Sequence, residues 1–200
     1  MKPAGNAVAL GAPHFDGPGL KAFEQYVGTA QVYLEYGCGG STLLAAKLGA
    51  KTIISAETDP KWAEAVRAGL QGAAAVIEVL HCDVGEVGDW GVPKDKSGLA
   101  RYHTYATTPW DAARRGQIAP DVVLIDGRFR VACFLYSLMC ARPGAIILFD
   151  DYAERAQYHI VEQFCPRERL HGRMAEFRAP GATVSPDLAK AFAQHSIVVD

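Results

Sequence analysis

At 200 residues, half of them apolar, the chain is long enough for one core of ordinary size. Its formal net charge of −2, from 20 basic and 22 acidic side chains, carries no footprint for a nucleic-acid backbone or an anionic membrane. The five cysteines, Cys38, Cys82, Cys133, Cys140 and Cys165, are scattered with no CxxC pair, which excludes a structural zinc site and fits a reducing compartment.

The first apolar run, Ala7 to Leu10, is too short for a secretory signal, and a soluble cytoplasmic protein is expected. Gly17-Pro18-Gly19 opens a helix to Gly28, with Leu20, Phe23, Tyr26 and Val27 on one face. A strand follows at Gln31 to Glu35, then a glycine turn, then a helix from Ser41 to Leu48 with Gly49 at its end. Lys51 to Glu57 reads as the second strand. Asp59-Pro60 caps the next helix, with Trp62, Ala65, Val66 and Leu70 facing inward. The third strand is Ala75 to His81, ending at Cys82-Asp83.

Gly85 to Ala106 is rich in glycine and charge and reads as an irregular insertion; with its flanks, 84–118 is expected to cover a pocket. Thr108-Pro109-Trp110-Asp111 looks like a helix start, running to Arg115 or Gly116. Asp121 to Asp126 is the fourth strand, followed by a helix through Val131, Phe134, Leu135, Leu138 and Met139. Ala145 to Phe149 is the fifth strand, far short of a membrane span, with Asp150-Asp151-Tyr152 behind it. A helix over Gln157 to Phe164, strands at Met174 to Arg178 and Ser196 to Val199, and a helical turn at Leu188 to Ala193 complete the chain. The alternation predicts a single α/β domain with a mostly parallel sheet covered on both faces.

Five predicted strands end in an acid: Glu35, Glu57, Asp83, Asp126 and Asp150. In an open parallel sheet these ends share one edge, where ligands bind. Glu57 follows Gly37 by 20 residues, a placement suited to accepting two hydrogen bonds from a ribose diol. Cys82 and Asp83 would lie further along, near a base. A dinucleotide oxidoreductase is the rival reading, but the third glycine of GxGxxG would fall on Thr42, whose branched side chain obstructs close approach. No GK[ST] follows the turn, so it is not a P-loop.

These pieces resemble the class I S-adenosylmethionine-dependent methyltransferases. The resemblance covers Tyr33 to Asp151 and rests on Leu34-Glu-Tyr-Gly-Cys-Gly-Gly-Ser-Thr42, Ile54-Ser-Ala-Glu57, Cys82-Asp83, Asp121 to Asp126 and Pro143 to Asp150. It implies a Rossmann-like seven-stranded sheet with an antiparallel last strand, with 31–151 as the cofactor core and 17–28 as an N-terminal helix. It also implies that Glu35 and the turn Gly37-Cys38-Gly39-Gly40-Ser41 hold the methionine part of S-adenosylmethionine. Glu57 would then hold the ribose, and Cys82 and Asp83 would meet the adenine. The expected reaction is methyl transfer to an oxygen, less readily a nitrogen, of a small molecule. A non-catalytic cofactor-binding or scaffold module on the same fold is the alternative.

Asp126, Asp150 and Asp151 partly resemble the metal set of small-molecule O-methyltransferases, which would bring magnesium to orient the acceptor. Capping and turn-forming aspartates give the same sequence. Arg128 is a candidate for an anionic substrate group, and Tyr152 a second substrate contact. His14, His103 and His159 are candidate bases beside Asp126, with His103 and His159 in the better contexts. The expected partners are a small-molecule substrate, no nucleic acid, no membrane and a second copy in a homo-oligomer.

Overall fold

The computed structural model describes residues 10–182 and 184–200; residues 1–9, which include most of the run Ala7 to Leu10, lie outside the described residues. The strands are β1 (Val32–Tyr36), β2 (Thr52–Glu57), β3 (Val76–His81), β4 (Val122–Ile125), β5 (Ile146–Phe149), β6 (Arg167–His171) and β7 (Met174–Arg178). They form one sheet in the order β3-β2-β1-β4-β5-β7-β6. β1 to β5 pair in parallel, and β7 runs antiparallel between β5 and β6. The strand order reverses at β1, so the crevice between the ends of β1 and β4 is where a ligand site is expected.

The helices are α1 (Gly17–Val27), α2 (Gly40–Leu48), α3 (Pro60–Gly69), α4 (Tyr102–Arg115), α5 (Arg130–Cys140) and α6 (Pro186–His195). Strand residues alternate between two apolar layers. Tyr33, Ile53, Leu124 and Leu148 pack with Phe23, Val27 and Ala45 on one face. Leu34, Ile54, Val123 and Ile147 pack with Trp110, Phe134 and Leu138 on the other. Local signals start and end the helices, at Asp59 and Gly49 as expected and at Asp16 besides. Asp16 Oδ1 accepts from the Gly19 amide at 2.8 Å, and Asp59 Oδ1 accepts from Lys61 at 2.8 Å. Gly49 closes α2 at φ 95, a left-handed conformation that favours glycine.

Three expectations fail. The insertion is not irregular to Ala106, because α4 starts at Tyr102 and carries Pro109 in its interior. Tyr102, Tyr105, Ala106, Pro109, Trp110 and Ala113 are buried at helical spacing, and their burial outweighs the ~3 kcal/mol a mid-helix proline costs. The predicted strand Ser196 to Val199 is absent, and the remaining sheet edge is β6 instead. β6 reads Arg-Glu-Arg-Leu-His, with no apolar alternation, because an edge strand faces water and its charges discourage further pairing. The segment from Gln157 is a 3-10 helix, Ala156–Gln163, rather than an α-helix. Among the described residues no helix is long and apolar enough to cross a membrane.

Candidate active site

The turn after β1 depends on the absence of side chains. Gly37 has φ 92, and a Cβ there would stand 2.8 Å from the Gly127 Cα. A Cβ on Gly40 would meet the backbone of Ala12 and Pro13 at 2.5 Å, so the strap Gly11–His14 crosses the start of α2 only because position 40 is glycine. Cys38 is buried and its carbonyl accepts from Trp62 Nε1 at 2.6 Å, which sets that indole against the turn.

Glu35 sits behind this turn, fully buried. Its carboxylate accepts from the hydroxyls of Tyr33 at 2.8 Å, Ser41 and Ser55 at 2.7 Å each, and also from Thr42. Burial raises its pKa, and the four hydroxyls pull the other way. Two carboxylate oxygens taking four donors leave little capacity for a ligand. Glu35 also lies outside the cavity lining and grips Ser41 and Thr42 at the start of α2 from behind.

Glu57 does face the cavity. Its Oε1 accepts from the amides of Thr58 at 2.7 Å and Asp59 at 2.9 Å. Its Oε2 has only the Cys38 thiol, at 3.7 Å, and therefore keeps acceptor capacity. Burial raises the Glu57 pKa, against these amide donors. The insertion closes over this carboxylate. Thr58 Oγ1 donates to the Gly91 carbonyl at 2.8 Å, and a Cβ on Gly91 would lie 3.2 Å from Glu57 Oε1. Trp90 beside it is 81% exposed at φ 59, with its ring edge-on to His14.

Cys82 and Asp83 do not reach the cavity. Cys82 is buried in the core, and burial pushes its thiol up to about 12. Asp83 turns outward: the Gly85 amide holds its carboxyl below the usual range, and its Arg101 bridge adds to this. The aromatic surface on that side comes from Trp62 and Trp90.

At the other end, Asp126, Asp150 and Asp151 converge as expected, with one oxygen of each within 4.8 Å of the others. Three arginines already match the three charges. Arg173 takes both oxygens of Asp150, at 3.2 and 2.8 Å. Arg155 Nη2 lies 2.8 Å from Asp151, and the buried Arg130 lies 3.3 Å from Asp126 and 3.4 Å from Asp151. A divalent ion would have to displace guanidinium groups that neutralise the cluster, so the residues do not fit magnesium. Of the three acids only Asp126 lines the cavity. Burial pushes its carboxyl up to about 7; Arg130 pulls it down, and Asp150 and Asp151 push it further up. The side chain keeps 28% exposure, so water or a ligand reaches it.

The base and substrate candidates separate in the same way. His103 and His159 are exposed and line no part of the cavity; His159 Nε2 meets the Tyr152 carbonyl oxygen at 3.2 Å. Tyr152 is core, fully buried, with its hydroxyl on Glu162 at 2.8 Å. His14 and Arg128 do line the cavity, and Tyr105 joins them at the floor. The cavity holds about 440 Å³ and runs from Trp62 and Glu57, past the glycine turn, to Asp126 and Arg128. That volume suits a small organic ligand. Sequence reasoning missed Thr58, Trp90, Gly91 and Tyr105. Only the glycine-rich insertion signalled the middle pair.

No protein-family model matches the chain, and no curated protein matches it. Solved structures do. A methyltransferase-like protein from Silicibacter pomeroyi DSS-3 is 32% identical, with TM-score 0.86, covering 92% of this chain and 96% of that one. A 16S rRNA methyltransferase from T. thermophilus, in complex with AdoMet and guanosine, is 17% identical with TM-score 0.53, covering 85% of this chain and 44% of that one. A SAM-dependent methyltransferase from Neisseria gonorrhoeae is 14% identical with TM-score 0.50, covering 87% and 71%. The last two share the fold alone.

Proposed function

The chain belongs to the methyltransferase-like family of the Silicibacter pomeroyi protein, with the class I S-adenosylmethionine-dependent fold, and from that premise we propose that it transfers a methyl group from S-adenosylmethionine to an oxygen of a small molecule. The observation that carries this is the continuous cavity linking Glu57 to Asp126 past Gly37 and Gly39. When bound, the cofactor supplies an electrophilic methyl group on a sulfonium.

The chain's own residues do the rest. The turn Gly37 to Gly40, shaped from behind by Glu35, takes the amino-acid end of the cofactor, as the family resemblance implies. Glu57 Oε2 offers the charged acceptor for a diol. Trp62 and Trp90 flank the base. Asp126, partly exposed and raised toward neutrality, takes the proton of the attacking hydroxyl. Arg128 and Tyr105 orient the acceptor opposite the leaving sulfur, since in-line transfer depends on alignment. Magnesium has no part in this assignment, and neither do His103, His159 or Tyr152.

The expectation of no nucleic-acid partner is left to experiment, because one neighbour of this fold is an rRNA methyltransferase. The formal charge of −2 favours a small acceptor, since a polyanion would require compensating basic surface. The test is calorimetry with S-adenosylhomocysteine and with NAD. Radiolabelled methyl transfer onto a panel of small hydroxylated acids and onto total RNA then follows. Binding of the homocysteine product with labelling of a small acid supports the reading. Labelling of RNA alone replaces the substrate class, and binding of NAD alone refutes the family role. Binding without transfer to any acceptor supports the non-catalytic module.

A further inference from the structure

The insertion reaches the cofactor end of the cavity as a small tip, with Val87 bridged to Pro93 and the Gly88 amide donating to the Val92 carbonyl at 2.8 Å. Its base is fixed. Val84 is buried, Val87 packs against the core, and Asp83 Oδ1 accepts from the Gly85 amide at 2.9 Å. The tip itself is held by less. Among the described residues, one hydrogen bond joins residues 86–93 to the protein outside the insertion: Thr58 Oγ1 donates to the Gly91 carbonyl at 2.8 Å. Segments with few such attachments open at low free-energy cost. The strap Gly11–His14 lines the same cavity, and the His14 and Trp90 rings stand edge-on with 6.4 Å between centroids. Tip and strap thus meet along the cavity that both line.

The Thr58 hydroxyl has one proton and two acceptors within reach. One is the Gly91 carbonyl; the other is Glu57 Oε1, at 3.2 Å. Oε1 already takes the amides of Thr58 and Asp59, at 2.7 and 2.9 Å, so the closer carbonyl keeps the proton while the tip is down. When the tip lifts, the hydroxyl turns to Oε1 and is not left unpaired at a residue that is 1% exposed. Opening therefore exchanges one bond for another, and the carboxylate that takes the second bond is the one facing the cavity. Gly91 makes the close approach possible: its φ is 70, and a Cβ there would stand 2.2 Å from Thr58 Oγ1.

We propose that Thr58 is a positioning residue, a latch whose hydroxyl holds the tip 86–93 closed against the strap, so that the cofactor enters and its demethylated product leaves when this bond breaks. This deepens the methyl-transfer reading and rests on it. A ribose on Glu57 Oε2 would lie next to the latch, and the closed tip keeps bulk water from the reacting centre. Trp90, left-handed at φ 59 and 81% exposed, is the part of the tip that swings clear of His14. A latch governs passage in both directions, whereas a ligand contact slows departure alone.

Two measurements on the full chain test this. The first is hydrogen exchange without ligand, on the unmodified chain, Thr58→Val, Thr58→Ser and Gly91→Ala. Exchange over 86–93 should quicken about fivefold in Thr58→Val and in Gly91→Ala, stay near the unmodified rate in Thr58→Ser, and not change in β4. The second is stopped-flow binding of S-adenosylhomocysteine, followed by tryptophan fluorescence. Association and dissociation should both quicken about fivefold in Thr58→Val, so that Kd moves less than either rate, and Thr58→Ser should restore both. Unchanged exchange at the tip, a rise in dissociation alone, or a Thr58→Ser protein that behaves as Thr58→Val would each overturn the latch. If Thr58→Val does not fold, Gly91→Ala decides by exchange: a quickened tip supports the latch and an unchanged tip overturns it. Failure of the unmodified chain to bind the homocysteine product removes the methyl-transfer reading, and the ligand-free exchange still decides whether Thr58 holds the tip.

Discussion

Replacing Glu57 by Gln tests the cofactor end of the site with one atom. The Thr58 and Asp59 amides, at 2.7 and 2.9 Å, both need an acceptor. The glutamine oxygen must therefore turn toward them, since a buried amide donor without a partner is costly. The new NH2 group then faces the cavity where Oε2 now stands. A charged acceptor for a ribose diol becomes a neutral donor, while the cap on Thr58 and Asp59 survives. Loss of a charge-assisted bond costs about 1–3 kcal/mol, a weakening of about 5- to 150-fold in affinity. Stability should change little, because removing the charge from a residue that is 8% exposed also removes its desolvation cost. Calorimetry with S-adenosylhomocysteine on both proteins, with thermal melts as the folding control, reads the two quantities. Unchanged affinity in a folded Glu57→Gln protein would refute the assignment of Oε2 to the ribose and, with it, the direction in which the cofactor lies. Glu57→Ala makes the contrast: it strips the cap as well and should lower both affinity and melting temperature.

Gly127→Ala would place a Cβ 1.9 Å from the Tyr105 hydroxyl and 2.8 Å from the Gly37 amide nitrogen. It should destabilise the fold by about 1–3 kcal/mol in urea melts and weaken product binding, because the strain falls on the cofactor turn. Asp126→Asn should abolish transfer while leaving product binding intact, as measured by single-turnover labelling and calorimetry. In the unmodified protein the rate should rise with pH through about 7 and level off above it, since the base acts ionised. The same raised pKa means that the folded state binds this proton more tightly than the unfolded chain. Stability should therefore fall as pH rises from about 4 to 7, and Asp126→Asn should lose that slope. Chelator should leave turnover unchanged, and added magnesium should not raise the melting temperature, because Arg130, Arg155 and Arg173 already balance Asp126, Asp150 and Asp151.

The βα alternation, the glycine turn and the row of strand-end acids were legible in the amino-acid order, because each rests on short-range physics. A buried parallel strand needs a continuous apolar run, a tight turn needs glycine, and Asp59-Pro60 opens a helix through bonds to its nearest amides. The family resemblance followed from those local pieces. What each acid does was not local. Glu35 and Glu57 both read as strand-end acids, yet Glu35 stands in register with Ser55, two residues before Glu57, and is consumed by four hydroxyls, Ser55 among them, while Glu57 keeps an oxygen for the cavity. Asp126, Asp150 and Asp151 read as a metal set until Arg155 and Arg173, from elements further along the chain, are seen to neutralise them. α4 continues through Pro109, and β6 forms from a charged run, because burial in one case and an open sheet edge in the other override intrinsic preference. Charge balance, edge pairing and the contact of Thr58 with Gly91 depend on which distant segments meet, and only the tertiary structure brings them together.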